Sequence, residues 1–311
     1  MAARGRVISV NVSREKGTIK QPVGEIVIDH YGVVADAHAG DWHRQVSLLS
    51  QESIERFSEK MGRKIAPGEF AENITTSGLD LGAVRLLDRF RIREVELEVT
   101  QIGKECHGDG CAIFRQVGKC VMPREGIFCR VLSGGQLRPG DEVVMLRRRW
   151  RFCLVVMSDR AARGVYSDRS GPVLQKWAED FCQRHGLDGQ VELSVQEDDP
   201  SKLRALLERE LARQADAVLI SGGTGIGPRD ITPETVLAFC EKTLPGVMEA
   251  IRLKFGAANP RALLSRSVAA VRGKTLVYAL PGSPRAAAEY TAEIEKTLLH
   301  AIYMLHGLDA H

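Results

Sequence analysis

Residues 221–230 read Ser221-Gly222-Gly223-Thr224-Gly225-Ile226-Gly227-Pro228-Arg229-Asp230. A continuous apolar run over residues 217–220 leads into them, and Thr232-Pro233-Glu234 follows. Such a run predicts a parallel strand buried on both faces. The glycines let the backbone turn tightly and bring its N–H groups against an anion. Ser221 and Thr224 add hydroxyl donors. Thr232 is placed to cap the next helix and Pro233 suits its first position, so the positive end of that helix faces whatever the loop holds. Arg229 can offset phosphate charge, and Asp230 can hold Mg²⁺ or orient a nucleophile. The segment is neither a Walker loop nor GxGxxG, because the Lys and the third Gly spacing are missing.

Outward from this loop, strand and helix patterns alternate. Residues 152–157 predict a strand. Val173, Leu174, Trp177, Ala178, Phe181 and Cys182 then recur at helical spacing. A strand is expected over 191–195 and a helix through Leu203, Leu206, Leu207 and Leu211. Two helical stretches follow, about 233–240 and 246–257, then a strand at 274–280. Tyr290, Ile294, Leu298 and Ile302 stripe a last helix. The βαβαβ order predicts a parallel sheet covered on both faces, with ligands at the carboxyl ends of its strands. Four loops fall there: Ser158-Asp159-Arg160 running on to Ser167-Asp168 and Ser170-Gly171-Pro172, then Glu197-Asp198-Asp199, the glycine loop, and Leu280-Pro281-Gly282-Ser283-Pro284. Asp198 and Asp199 are open to two readings, a functional carboxylate or a helix N-cap.

Residues 221–234, the 158–171 loop and the 280–284 loop together resemble the molybdopterin adenylyltransferase family, over roughly residues 151–306. The resemblance implies a three-layer α/β domain with a mostly parallel sheet, often trimeric. It implies transfer of AMP from ATP to the terminal phosphate of molybdopterin, with release of pyrophosphate. The family's two important carboxylates fall on Asp198 (with Asp199 as the alternative) and on Asp230. We assign both to Mg²⁺ and nucleophile positioning, since a phosphate nucleophile is already ionised and needs no general base. Molybdopterin and ATP would then lie among Ser158, Asp159, Ser170, Gly171, Ser221, Gly222, Gly223, Thr224, Gly225, Arg229, Pro281 and Gly282.

The first half reads differently. Short strand candidates at 7–12, 45–49, 85–87, 128–132 and 142–146 are separated by Pro67-Gly68, Ser77-Gly78 and Gly134-Gly135. Val95, Leu97 and Val99 alternate with Glu94, Glu96 and Glu98, the mark of a half-buried strand. One helix is expected from about Ser50 through Ile54, Phe57 and Met61. Many short strands with turns suggest a barrel or sandwich. The basic run Arg147-Arg148-Arg149-Trp150-Arg151 divides the two patterns and reads as an exposed connector. It predicts domains at 1–148 and 149–311.

Residues 33–36 with His38, the segment Gly40-Asp41-Trp42-His43-Arg44-Gln45, the segment Thr100-Gln101-Ile102-Gly103-Lys104-Glu105-Cys106-His107, and Pro123-Arg124-Glu125-Gly126-Ile127-Phe128 together resemble the MOSC domain, over roughly residues 4–146. That resemblance implies a barrel-like β fold binding molybdenum cofactor or its pterin, with one pocket cysteine, which maps to Cys106. Lys104 and His107 beside it would favour the thiolate. Three readings stay open for Cys106: a molybdenum or tungsten ligand or sulfur carrier, a structural metal site with His107, Cys111 and Cys120, or a plain buried thiol. His43 and Arg44, with His38, either contact an anionic phosphate or oxo group or belong to an ordinary polar loop.

The composition is compatible with both halves. The 311 residues carry 43 Lys+Arg against 40 Asp+Glu, a net charge of +3, with 44% hydrophobic residues. This argues against a disordered chain and a dedicated nucleic-acid binder. No apolar run reaches the roughly 18 residues that span a bilayer. The polar N-terminus reads as no secretory signal, and seven cysteines without scaffold spacing favour reduced thiols in a cytoplasm. The expected protein is a cytoplasmic enzyme of molybdenum or tungsten cofactor biosynthesis, working with other proteins of that route or with molybdoenzymes. The alternative is a carrier or chaperone that binds the cofactor without turnover.

Overall fold

The computed structural model describes residues 3–104, 121–165 and 167–308. The chain divides into two compact units, Met1–Arg148 and Arg149–His311. Among the described residues no helix is long and apolar enough to cross a membrane.

The N-terminal unit contains β1 (Ala3–Val12), β2 (Gln21–Val23), β3 (Ile26–Asp29), β4 (Gly32–Val33), β5 (Val46–Ser50), α1 (Gln51–Met61), β6 (Ile74–Ser77), β7 (Arg89–Ile92), β8 (Val95–Ile102), α2 (Met122–Glu125), β9 (Ile127–Ser133), β10 (Gly135–Leu137) and β11 (Glu142–Leu146). The order β11-β7-β8-β9-β5-β6-β1 closes on itself through a β11–β1 pairing, giving a barrel without free edges apart from the attached β2. Val46, Leu48, Leu97, Val99, Cys129 and Val143 are among the side chains that fill it. Helix α1 begins where the Ser50 side chain accepts the Ser53 N–H and ends at Gly62, φ 64°. Its Ile54 packs with Phe70 and Phe128 in a separate cluster.

Three expectations are corrected here. Residues 85–87 form no strand: Leu87 sits at φ 69°, and the chain turns before β7. The strict alternation of β8 breaks at Glu98, which is 3% exposed and held by Arg130 and Arg89 instead of water. The basic run is no free connector. Arg147 pairs with buried Asp88 at 3.0 Å, the Arg148 N–H donates to the same carboxylate, and a strand has already begun at Arg149 with Trp150 only 1% exposed.

The C-terminal unit contains β12 (Arg149–Met157), α3 (Asp159–Ala162), α4 (Gly171–His185), β13 (Asp188–Gln196), α5 (Pro200–Ala212), β14 (Ala217–Ser221), α6 (Thr232–Phe239), β15 (Lys242–Thr243), α7 (Pro245–Gly256), β16 (Val268–Arg272), β17 (Thr275–Leu280) and α8 (Pro284–Leu305). Strands β13-β12-β14-β17 are parallel. Strands β16 and β15, which the sequence patterns did not announce, add an antiparallel edge. Leu203, Leu207, Val236 and Phe239 of α5 and α6 cover the Cys153/Val155 face of the sheet. On the other face Phe152 meets Phe181 of α4 edge-on at 5.9 Å. The parallel register brings the C-terminal ends of β12, β13, β14 and β17 into line, Met157 beside Gln196, Val156 beside Ser221, and Ser221 beside Leu280.

The barrel carries a buried charge network. Lys20 and Asp36 are 1% and 0% exposed at their side chains and form an ion pair. Asp36 also accepts the Ser13 N–H, the His38 N–H and the Asn73 amide. Burial alone would raise the Asp36 carboxyl, but the hydrogen bonds from His38 and the Lys20 ammonium outweigh it and hold the carboxyl well below its ordinary range. Burial lowers Lys20 and raises Glu72, which lies wholly buried beside them. Because Asp36 binds its proton more weakly folded than unfolded, its contribution is full above about pH 4 and is lost as the pH falls below that. Lys20→Met leaves a buried carboxylate without its cation, and about 3–5 kcal/mol of stability should disappear. Native-state hydrogen exchange of the β1 and β6 amides reads this unit alone, and a further Asp36→Asn should recover part of the loss.

Candidate functional site

The ends of β12, β14 and β17 enclose a cleft of about 540 Å³, which no residue of β13 lines. Ser158, Ser170, Ser221, Gly222, Gly223, Thr224, Gly225, Asp230, Pro281 and Gly282 all line it. Its floor is the glycine loop. Gly222 (φ 113°) and Gly223 (φ 63°) adopt left-handed backbone. A Cβ on Gly222 would lie 2.3 Å from the Met157 carbonyl oxygen, so no other residue fits there without moving the sheet. The Gly222 N–H donates to Leu280 O at 2.9 Å. The N–H groups of Gly223, Thr224 and Gly225 that follow donate to no protein acceptor among the described residues. Three successive unpaired donors on a cleft wall make an anion-binding concavity.

The loop carbonyls are held from behind. Thr232 is the first residue of α6, not its cap: its hydroxyl donates to Gly222 O at 2.9 Å and its N–H to Gly223 O at 3.1 Å, while Ile231 stands at the cap position without a side-chain bond. Arg266 does more. Its N–H donates to Thr224 O at 2.9 Å, its Nε to Gly225 O at 2.6 Å and its Nη2 to Asp230 O at 3.0 Å, and it pairs with Glu234.

The carboxylates gather beside the loop. Asp199 caps α5, accepting the Ser201 and Lys202 N–H groups at 2.8 and 2.9 Å, so its side chain is committed to the helix. Asp198 is not. Its Oδ2 accepts the Asp159 N–H at 3.2 Å, Asp159 returns the bond to the Asp198 N–H, and Asp198 Oδ1 is buried with no partner. Burial, with the Asp159 and Asp230 charges nearby, raises the Asp198 carboxyl against the opposing pull of Arg229. Arg229 lies 3.5 Å from Asp159. Asp230 folds back to accept the Gly227 N–H at 2.8 Å. Asp168 accepts the N–H groups of Ser170 and Gly171 and the Ser170 hydroxyl at the start of α4. Among the described residues no three His, Cys, Asp or Glu side chains are arranged to hold a metal ion. Mg²⁺ needs fewer, because one or two carboxylates suffice when phosphates and waters complete the octahedron. The orphaned Asp198 oxygen and the Asp230 carboxylate fit that requirement.

Of the expected N-terminal site residues, His38 stands 3.5 Å from the buried Lys20 ammonium and its carbonyl accepts the Trp42 indole N–H at 2.7 Å. The Arg44 guanidinium stacks 4.8 Å over the Trp42 ring and 6.0 Å from Phe128, and the His43 carbonyl accepts the Thr100 hydroxyl. Lys104 is bonded through its N–H to Pro123 O. Cys106, His107, Cys111 and Cys120 lie outside the described residues. Cys129, Cys153 and Cys182 are buried free thiols.

Two family models match the chain. The probable molybdopterin binding domain family matches residues 153–301, and the MOSC domain matches residues 35–144. The molybdopterin adenylyltransferase of Helicobacter pylori is 34% identical over 155 residues, 84% of its own length and 48% of this chain. The chain belongs to the molybdopterin adenylyltransferase family. A molybdenum cofactor biosynthesis bifunctional protein of Synechococcus elongatus is 33% identical over 50% of this chain and 47% of its own. The chain thus spans about half the length of the bifunctional relatives it matches. A solved structure of the molybdopterin biosynthesis Mog protein from Mycobacterium ulcerans covers 50% of this chain at 33% identity, with a TM-score of 0.46.

Sequence reasoning missed Arg266 and Ser265 at this cleft, and placed Asp168 in one of its loops without a role. Arg266 gave no signal, because it lies outside any motif and reaches the loop only through the β16 edge. Arg266→Ala strips two half-buried loop carbonyls of their charged donor, at about 1 kcal/mol for each. The Gly227 and Asp230 amides, bonded within the native loop, should exchange with solvent at least about tenfold faster, a change of roughly 1.4 kcal/mol. Arg266→Lys should recover only part of the protection, since an ammonium lacks the planar fork.

Proposed function

We propose that the C-terminal unit adenylylates molybdopterin, transferring AMP from ATP to the terminal phosphate and releasing pyrophosphate. The observation that carries this reading is the run of three unpaired N–H donors at Gly223, Thr224 and Gly225, beside the Asp159, Asp198, Arg229 and Asp230 charge set. Preorganised backbone donors hold phosphate oxygens without reorganising as charge shifts in the transition state. The relatives named molybdopterin adenylyltransferase support the same chemistry.

On this reading the loop N–H groups and the Ser221 and Thr224 hydroxyls bind phosphate oxygens and hold the two phosphates in line. Arg229 offsets the negative charge that accumulates as they approach. Asp198 and Asp230 would hold Mg²⁺, which when bound neutralises the triphosphate and favours pyrophosphate departure. The attacking phosphate is already ionised, so neither carboxylate need take a proton. Asp168 keeps the α4 N-terminus ordered as one wall of the cleft. We further assign the N-terminal unit to binding the pterin or the finished molybdenum or tungsten cofactor. Linkage of the two units raises the concentration of one site's product at the other. A trimer formed through the three-layer C-terminal unit, a cytoplasmic location and contact with other cofactor-synthesis proteins or molybdoenzymes complete the proposal.

Asp230→Asn should leave molybdopterin and ATP binding within a factor of a few while pyrophosphate release falls by about 100-fold or more, the scale of losing one charged contact to a phosphoryl transition state. Asp198→Asn should behave alike, and chelation of divalent ions should abolish release in the parent protein. Turnover unchanged in both variants would sink the assignment. Tight cofactor binding without any pyrophosphate release would establish the carrier reading instead.

A further inference from the structure

Charge is unevenly placed around the cleft of the C-terminal unit. Asp198 and Asp230 stand before α5 and α6, the helices of the Cys153 face. Arg169 and Arg261, which line the cleft, come from elsewhere. Arg169 sits where the chain enters α4, on the opposite face of the sheet, and Arg261 lies in the 3₁₀ turn Pro260–Leu264 before β16. The sheet order β12-β14-β17-β16 sets the glycine loop, which follows β14, between the segments that carry the two arginines. Both are held at their backbones. Asp168 accepts the Ser170 and Gly171 N–H groups just after Arg169. Asn259 accepts the Arg261 N–H at 3.3 Å, Leu263 lies against Gly256 at the end of α7, and the Arg266 N–H ties the end of the turn to Thr224 O. Neither guanidinium makes an ion pair or hydrogen bond among the described residues, whereas Arg229 is paired with Asp159 and Arg266 with Glu234.

An unpaired guanidinium on a cleft wall is a ready partner for phosphate, because its planar fork takes two oxygens at once. Two of them, on either side of the N–H donors, suit an anion longer than a single phosphate. In adenylyl transfer the molybdopterin phosphate oxygen bonds to the α-phosphorus of ATP, the bond from that phosphorus to its bridging oxygen breaks, and the electron pair leaves on pyrophosphate. The carboxylate side of the cleft repels that departing group, and the guanidinium side attracts it. We propose that Arg169 and Arg261 hold the β- and γ-phosphates of ATP, the part that departs as pyrophosphate, while the glycine loop keeps the α-phosphate. The proposal rests on the adenylylation reading of this cleft and assigns two residues that the reading leaves idle.

The test uses the full chain with Mg²⁺ and needs no turnover. Isothermal titration calorimetry compares AMP with α,β-methylene-ATP, whose carbon bridge resists cleavage at the reacting bond. The parent should bind the triphosphate analogue at least about tenfold more tightly than AMP, the scale of one added charge-assisted contact. Arg169→Ala and Arg261→Ala should each cost the analogue about tenfold in affinity and leave AMP within about twofold. Inorganic pyrophosphate should follow the analogue, and inorganic phosphate should follow AMP. The Lys variants should recover part of the loss, since an ammonium keeps the charge without the fork. Arg163→Ala removes the same charge from the same β12–α4 connection but outside the cleft lining, and should leave both ligands within about twofold. No preference for the analogue in the parent overturns the proposal. So does an equal loss for AMP and the analogue in the two cleft variants, or a loss as large from Arg163→Ala, because either marks a diffuse field instead of contact. Pyrophosphate release from ATP and molybdopterin is measured separately on the parent chain. Its absence sinks the adenylylation reading without moving the calorimetry, whereas release together with unchanged analogue affinity in both cleft variants sinks this proposal alone.

Discussion

A backbone that turns successive N–H groups toward an anion must dispose of the carbonyls on its other side. This constraint organises the C-terminal unit. The Gly223, Thr224 and Gly225 donors are left for a ligand, and the carbonyls of Gly222, Gly223, Thr224 and Gly225 are each served by a group from elsewhere. Thr232 takes Gly222 and Gly223, and Arg266 takes Thr224, Gly225 and Asp230. Glycine is required at 222 twice over, by its φ of 113° and by the Met157 carbonyl against it. That contact exists only because β12 and β14 are parallel neighbours in register. The sheet is thus a support that fixes which atoms lie behind the loop.

The near-neutral charge of the chain acquires meaning in this setting. A basic surface attracts anions of any shape, and its effect fades beyond about 8 Å in physiological salt. Fixed backbone dipoles act at contact distance and recognise geometry as well as sign. The arginines near the cleft are partly answered by carboxylates, as Arg229 is by Asp159. Arg160, Arg169 and Arg261 also line the cleft, so their charge attracts an anion and the placement of the donors selects among anions.

Much of this was legible in the sequence, and what was not has identifiable causes. The strand-loop-helix passage through residues 217–234 was readable because burial on both faces, glycine freedom and a Pro near the helix start each leave a local mark. The barrel strand β8 was readable from alternation, and β9 and β11 as short apolar stretches between turns. Arg266 was not, because its role depends on β16 running antiparallel beside β17, a tertiary fact with no local signature. Glu98 broke the alternation for the same reason: Arg130 and Arg89 arrive from neighbouring strands. The doublet Asp198-Asp199 held two roles that sequence could not divide. The division became visible only when the Asp199 side chain was seen bonded to the α5 N–H groups.

That doublet also shows how structure and function are allotted at one position. A helix N-cap is satisfied within the protein, so its carboxylate is quiet. Asp198, one residue earlier, faces the opposite balance. Its Oδ1 is buried without a donor, two acids stand near it, and the Asp159 N–H and Arg229 only partly oppose them. Folding alone gives no reason to keep such a group, since Asn would accept the same Asp159 N–H without the charge. The cost is recovered only if something positive or proton-bearing is brought to that oxygen from outside the chain.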